Sequence, residues 1–214
     1  MTEPYRASDS SRRYVLDEVR RADRERFLAA LFAPEAQRSG LLALLAFDRE
    51  LARTRHVARE AMLARIRHEW WREACVEAAG SGNPRAQPVV ESLSETARRH
   101  KLSAESLIAL VDAREEEIDG PLDVVRAGYA LADLELAVLG VSDPATRDAA
   151  RAVGAAWLMG EGAERTALLA EARAARPSID PRALPILLPA LSLSGTPAWA
   201  APLSYWWAAK RGRY

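Results

Sequence analysis

Four acidic residues recur at a spacing that could bind a metal ion. They fall at i, i+3, i+4 and i+7 of a helical pattern and are Asp112, Glu115, Glu116 and Asp119. Side chains at these intervals share one helix face, and carboxylate oxygens are the ligands that Mg²⁺ prefers. In a chain of which 28% is charged, a solvated face paired with Arg114 or with Arg98-Arg99 explains the same pattern. We favour this second interpretation and keep the four carboxylates as alternative metal ligands.

A second region, from Gly40 to Ala74, joins two amphipathic helical patterns that carry short motifs. The first pattern closes with Ala46-Phe47-Asp48-Arg49, and the second carries Trp70-Trp71-Arg72. These motifs resemble the squalene/phytoene synthase family, in which an Ala-Phe-x-Arg element precedes the first aspartate-rich motif. The run Ala46–Ala52 is also similar to the aspartate-poor branch of that family, which includes a mitochondrial assembly factor of respiratory complex I.

The resemblance implies head-to-head condensation of prenyl diphosphates, which needs Mg²⁺ held by two aspartate clusters on facing helices. At the positions of the first cluster this chain has Ala52, Arg53 and His56. Replacing a carboxylate with arginine changes the local charge by two units, and each unit is worth about 4 kcal/mol at about 4 Å in an effective dielectric of about 20. The sequence therefore predicts no metal site at these positions.

The other family motifs are also altered. The stretch that matches the second cluster is Gly154–Leu158, and Glu164-Arg165 downstream reverses the charge order of the family motif. The helix in which the family carries a glycine, to let substrate approach the backbone, is Tyr129–Glu135 here and has none. The resemblance therefore predicts the family's fold together with loss of its metal-dependent chemistry.

A cavity kept from the family would leave a binding role for some residues. The resemblance implies that arginines would contact a diphosphate and that aromatic rings would line or fill the cavity. The candidate substrate-binding residues are Arg49, Arg53, Trp70, Trp71, Tyr129 and Trp157. Core packing explains the Trp70-Trp71 pair without a ligand, and we favour that interpretation.

Helical periodicity runs through nearly the whole chain, with no sustained period-two alternation. The predicted helices cover about 11–32, 34–56, 60–79, 88–100, 103–118, 121–139 and 143–159, and Asp180-Pro181 marks a further start. These elements predict a single all-α domain over residues 1–214, a helical bundle that the resemblance assigns to the isoprenoid synthase type.

Residues 183–214 form an uncharged segment rich in proline and tryptophan, followed by a basic tail. No charged residue lies between Arg182 and Lys210, but prolines and Gly195 interrupt the segment, so it does not predict a regular membrane-spanning helix. Aromatic residues followed by bases are typical of a segment at a membrane surface, and a helix that covers the core is the alternative. The candidate membrane-contact residues are Trp199, Tyr205, Trp206, Trp207, Lys210 and Arg211, with Arg213 beyond them.

Composition narrows the remaining possibilities. The 30 basic and 30 acidic residues balance, so no overall field favours nucleic acid. Cys75 is the only cysteine, which excludes an intramolecular disulfide, fits a reducing cytoplasm and suggests a small buried residue. Only Lys101 and Lys210 among the basic residues are lysines, a bias typical of a GC-rich bacterial genome. The N-terminal stretch predicts no secretory signal.

These patterns predict a catalytically degenerate member of the family that acts as a membrane-peripheral assembly or scaffold factor, with respiratory complex I as the candidate client. We expect it in the cytoplasm, peripheral on the inner face of the cytoplasmic membrane, with a membrane-protein partner and no cofactor. Two alternatives stay open. One is an active prenyl transferase of the squalene/phytoene synthase type that uses Mg²⁺ with atypical ligands, and the other is a non-catalytic protein that binds a prenyl or lipid tail.

Overall fold

The computed structural model describes residues 5–57, 61–212 and 214, except for the side chains of residues 55–57. Helices and short 3₁₀ turns account for the regular structure of these residues, without a strand among them, which confirms the predicted all-α class. The chain divides into two compact units, Met1–Val19 with Ser39–Asp123 and Arg20–Arg38 with Val124–Tyr214, here called unit 1 and unit 2. The single-domain organisation stays a prediction.

The α-helices of the described residues follow one another from the N-terminal segment to the C-terminal segment. They are α1 Asp9–Ala22, α2 Arg24–Ala30, α3 Glu35–Val57, α4 Ala61–Ala79, α5 Pro88–His100, α6 Ala104–Glu115, α7 Val124–Leu139, α8 Pro144–Leu158, α9 Ala163–Ala174, α10 Leu184–Leu187, α11 Pro189–Leu193 and α12 Ala201–Arg211. Short 3₁₀ turns occupy Glu116–Ile118, Arg176–Ser178 and Pro181–Ala183.

Two of the differences from the predicted helix boundaries have a clear local cause. The expected helix over 11–32 is interrupted at Asp23, whose carboxylate accepts a hydrogen bond from the Arg26 amide at 3.1 Å and caps α2. An aspartate at such a position satisfies an amide that would otherwise lack a partner, which offsets the cost of the break. The helix expected over 103–118 ends at Glu115 and tightens into a 3₁₀ turn before Gly120-Pro121.

Unit 1 is built around α4, which packs against α5 and α6. Leu44 and Phe47 of α3 are fully buried in this unit. Cys75 of α4 is also fully buried, as predicted, and burial raises the pKa of its thiol to about 12. The free thiol therefore stays protonated and packs as a small apolar side chain.

A buried carboxylate, that of Glu95 in α5, holds the N-terminal segment of unit 1. It accepts a hydrogen bond from the Ala7 amide at 3.1 Å and forms ion pairs with Arg12 at 3.3 Å and Arg99 at 2.7 Å. Lys101 then ends α5 in the left-handed conformation, with φ of 56°. The exposed Lys101 side chain takes no part in that cluster.

The closest helix packing in unit 2 is the crossing of α7 and α8. A Cβ added at Gly128 would lie 2.4 Å from the Ala155 amide nitrogen, and one added at Gly154 would lie 2.6 Å from the Gly128 carbonyl oxygen. The two backbones therefore touch, and only glycine fits at both positions. Gly154, which the sequence assigned to the altered second motif, serves this crossing.

The C-terminal helices of unit 2 pack on α2 and α8. Tyr205 of α12 is fully buried, shares a 2.8 Å hydrogen bond with the Ser192 hydroxyl, and meets the Phe32 ring edge-on at 6.5 Å between centroids. Tyr214 is also buried and donates a hydrogen bond of 2.5 Å to the Ala172 carbonyl. Tyr205 attaches α12 to the unit, and Tyr214 attaches the C-terminal residue to it.

Candidate functional site

The Asp48 side chain, which belongs to the Ala-Phe-x-Arg element, lies inside unit 1. It forms a buried ion pair with Arg114 of α6, whose Nη2 lies 2.5 Å and whose Nε lies 2.8 Å from the same carboxylate oxygen. Both side chains are at most 5% exposed. A charge pair shielded from water in this way holds α3 and α6 together, so Arg114 is not the partner of the acidic stripe that the sequence suggested.

The positions of the first family cluster lie on the following turn of α3. Ala52 is half-buried, and Arg53 is exposed and paired with Glu50 at 3.1 Å and Glu18 at 3.6 Å. Arg49 is also exposed. The side chain of His56 lies outside the described residues. A guanidinium therefore occupies the place of a metal-binding carboxylate and already balances two acidic side chains.

The predicted carboxylate stripe is divided between a helix and a turn and is paired with arginines of α4. Arg72 contacts Asp112 at 2.7 Å and also contacts Glu115, while Arg65 contacts Asp119 at 2.5 Å. Glu116 is exposed on the 3₁₀ turn. The ion-pair interpretation was thus right about the kind of contact and wrong about the partners.

The other arginines offered as partners are engaged elsewhere in unit 1. Arg98 contacts the Gly82 carbonyl at 2.5 Å and stacks over the Tyr5 ring, and Arg99 pairs with Glu95. Within the described ranges no three His, Cys, Asp or Glu side chains come together as metal ligands. This set of residues does not suit Mg²⁺, because each of Asp112, Glu115 and Asp119 would have to exchange an arginine for the ion.

Unit 1 contains a cleft of about 390 Å³ beside Arg53. It is lined by Glu50, Arg53, Thr54, Arg67, Trp70, Trp71 and Gln87. The volume falls within the range of small-molecule sites. Three of the predicted substrate-binding residues, Arg53, Trp70 and Trp71, therefore come together at one concave surface.

The tryptophan pair forms one wall of this cleft and part of the core. Trp71 is buried with its ring centroid 5.3 Å from that of Phe47, and Trp70 stands perpendicular to it at 5.0 Å. Arg85 lies 4.5 Å above the Trp70 ring and donates hydrogen bonds to Glu77. Trp71 thus packs as expected, while Trp70 is held at the edge of the cleft by a cation–π contact.

Some residues of the cleft have no signal in the sequence. Arg67 could have been found, since it precedes Trp70 by three positions and shares its helix face. Gln87 could not, because it lies in the loop before α5 and reaches the cleft only through tertiary packing.

The two remaining aromatic residues of the predicted substrate-binding set, Tyr129 and Trp157, belong to unit 2 and carry stacked arginines. Arg151 lies 5.3 Å from the Tyr129 ring centroid and pairs with Asp133 at 2.6 Å. Arg26 lies 5.4 Å from the Trp157 ring centroid. Each ring is half-buried. Asp133 of the altered Tyr129–Glu135 motif therefore serves an ion pair between α7 and α8.

The predicted membrane-contact residues divide into an exposed set and one buried residue. Trp199, Trp206 and Trp207 are 82%, 47% and 46% exposed. Tyr205 does not belong with them, because its ring is buried against Phe32 and its hydroxyl is bonded to Ser192. Arg213 lies outside the described residues. None of the helices described is both long and apolar enough to cross a bilayer.

Comparison with known proteins gives one family and one group of relatives. The squalene/phytoene synthase family model matches residues 19–161. Proteins named NADH dehydrogenase (ubiquinone) complex I, assembly factor 6 are 34% identical over 158 residues in Rattus norvegicus and 36% identical over 107 residues in Bos taurus. These alignments cover 67% and 50% of this chain but only 45% and 32% of the relatives. No solved structure gives a significant match.

Proposed function

The chain belongs to the squalene/phytoene synthase family, and we propose that it is a non-catalytic member that acts as a membrane-peripheral assembly factor, with respiratory complex I as its client. The observation that carries this proposal is the pairing of Asp112 and Glu115 with Arg72 and of Asp119 with Arg65. These carboxylates are the candidate replacements for the missing aspartates, and arginines already neutralise them.

Electrostatics explains why this arrangement is unsuited to the family's reaction. Ionising an allylic diphosphate needs metal ions that bridge its oxygens to protein carboxylates. Here the first-cluster position carries Arg53, and each charge of the wrong sign is worth about 4 kcal/mol at about 4 Å in an effective dielectric of about 20. An arginine can neutralise a diphosphate, but it does not bridge it to a carboxylate. We therefore propose that the protein has no Mg²⁺ cofactor.

The partner is proposed from the relatives. The proteins named as assembly factor 6 are similar over half to two thirds of this chain, and their name refers to complex I. Because the chain spans less than half of their length, the client is a proposal. We place the factor in a bacterial cytoplasm, on the inner face of the cytoplasmic membrane, where a respiratory complex would be within reach.

The cleft of unit 1 supports a second candidate function, the binding of a prenyl or lipid ligand without turnover. Its volume of about 390 Å³ and its tryptophan wall suit an apolar chain, and Arg67 at the same surface suits an acidic head group. This role is compatible with an assembly factor that senses or carries a lipid.

Turnover is tested by diphosphate release from farnesyl and geranylgeranyl diphosphate with and without Mg²⁺, with thermal shift recorded on the same samples. We expect no release. Metal-dependent release by the wild-type protein would overturn the proposal, and a thermal shift without release would support the lipid-binding candidate. In an Arg72→Ala variant Asp112 and Glu115 lose their arginine, so release by this variant alone would show that the pairing is what blocks turnover in the wild type.

The client is tested by deleting the gene in its source organism. We expect the NADH:quinone activity and the complex I band on native gels to fall, and to recover with the wild-type chain. Succinate:quinone activity is the matched control and should stay unchanged. Normal complex I assembly in the deletion strain would refute the client, whatever the outcome of the turnover assay.

A further inference from the structure

Helix α12 carries two opposite faces of different composition. Ala201 and Tyr205 are buried against unit 2. Leu203, Trp206, Trp207 and Lys210 follow at i, i+3, i+4 and i+7 and are exposed. The face that turns away from the core is therefore the one that bears the large apolar side chains.

This composition is unusual for a helix that faces water. Amphipathic helices of soluble proteins direct apolar residues to the core and polar residues outward. On α12 the outward side chains of Leu203, Trp206 and Trp207 are 62%, 47% and 46% exposed, and Trp199 just before the helix is 82% exposed. Grouped exposed aromatics of this kind mark a contact surface.

The charged residues beside these tryptophans, Lys210 and Arg211, are both positive. Lys210 lies 5.2 Å from the Trp206 ring centroid and Arg211 lies 5.0 Å from that of Trp207, so each cation stacks on a tryptophan. No acidic residue occurs from Arg182 onward in the sequence. Both bases lie in the last turn of the helix, four residues after the rings on which they stack.

From this geometry we propose that the outer face of α12, with Trp199, binds the anionic surface of a lipid bilayer. The proposal rests on the membrane-peripheral part of the proposed function and names the residues and lipid class involved. Tryptophan rings settle at the depth of the head groups, and lysine and arginine extend to lipid phosphates. Tyr205 anchors the helix to unit 2 and does not contact lipid.

The test is co-sedimentation of the full chain with vesicles of phosphatidylcholine alone or mixed with phosphatidylglycerol. We expect binding to the mixed vesicles that weakens as salt is added, because screening removes the attraction of the bases. Lys210→Ala and Arg211→Ala should each weaken binding about fivefold. Arg13→Ala and Arg20→Ala on α1, both exposed, are the matched charge controls and should leave it unchanged.

The aromatic contribution is tested with Trp206→Ala and Trp207→Ala, each expected to weaken binding about tenfold or more. Tyr205→Phe, which loses only the bond to Ser192, should bind like the wild type. If an alanine variant fails to fold, Trp199→Phe/Trp206→Phe/Trp207→Phe keeps the apolar face and removes the three tryptophans of the proposed surface, leaving only Trp70, Trp71 and Trp157. Brominated lipid should quench the wild type much more than this variant.

Equal binding to neutral and anionic vesicles, or wild-type binding by the Trp206→Ala and Trp207→Ala variants, would overturn the proposal. These outcomes are separate from the client test, because purified vesicles contain no respiratory complex. If the protein supports complex I assembly but does not bind anionic vesicles, only the proposed lipid-binding surface is refuted.

Discussion

At Arg72 a single guanidinium contacts the carboxylates of both Asp112 and Glu115. Two further arginines form similar ion pairs, Arg65 with Asp119 and Arg114 with Asp48. A carboxylate held in this way is a poor metal ligand, because the ion must displace a cation that is already hydrogen-bonded. In this protein arginine therefore takes the structural position next to carboxylates that a metal would take in an enzyme.

The buried pair of Asp48 and Arg114 gives the sharpest prediction for a single residue. Asp48→Ala leaves the Arg114 guanidinium, 5% exposed, without its partner inside unit 1. We expect the free energy of unfolding to fall by about 3–5 kcal/mol, measured by urea denaturation. Arg182→Ala removes a pair with Asp180 in which the arginine side chain is 62% exposed, and it should change the free energy of unfolding by less than about 1 kcal/mol.

A double variant separates the loss of the pair from the cost of the unpaired charge. Asp48→Leu/Arg114→Met replaces both ions with apolar side chains and should recover much of the lost stability. If Asp48→Ala were as stable as the wild type, Arg114 would have another way to satisfy its charge, and the pair would not be what holds α3 to α6.

For single residues, the sequence predicted burial more readily than it predicted the partners of charged side chains. Cys75 was predicted to be buried because no histidine lies within a helical turn of it to activate the thiol, and an unactivated cysteine packs as a small hydrophobe. The partner of Asp112 was not predictable, since Arg72 lies 40 residues away in the sequence. Only the packing of α4 against α6 brings the two together, and no local pattern records that packing.

Between helices, the crossing of α7 and α8 depends on two glycines. Gly128 and Gly154 bring the two backbones into contact. Gly128→Ala would gain about 1 kcal/mol of helix propensity, but its Cβ would lie 2.4 Å from a backbone nitrogen that cannot rotate away.

We therefore expect Gly128→Ala to lower the free energy of unfolding by about 1–3 kcal/mol, since overpacking outweighs propensity. Thermal and urea unfolding measure this change. Gly160→Ala, at a position with no atom within 4 Å of the added Cβ, is the control and should stay within about 0.5 kcal/mol. A stabilised Gly128→Ala protein would mean that α7 and α8 separate easily.

Helix boundaries were predictable where a cap lies beside them. Helix α5 begins and ends as predicted, because the Gln87 side chain caps it and Lys101 turns left-handed after it. The break at Asp23 was not predicted because apolar residues keep the helical period from α1 into α2. The hydrogen bond by which Asp23 caps α2 is visible only in the folded chain.

At the scale of the whole molecule, family membership and the all-α class follow from short motifs and helical period, while the proposed function rests on the changes within those motifs. The carboxylates Asp112, Glu115 and Asp119 carry ion pairs with arginines, and the C-terminal segment carries exposed tryptophans. Both features support the proposal of a scaffold that contacts other molecules through its surface.

Because the chain has only two lysines, Lys101 and Lys210, the reactivity of each side-chain amine can be followed separately. Lys210 stacks on Trp206 at the aromatic face of α12, and Lys101 lies exposed at the end of α5 in the other unit. With 28 of the 30 basic residues being arginine, an amine-reactive ester has only these two side-chain targets. Peptide mass spectrometry after brief labelling should show that Lys210 is acylated more slowly once anionic vesicles are added. The acylation rate of Lys101 in the same molecule should stay unchanged and serve as the internal reference.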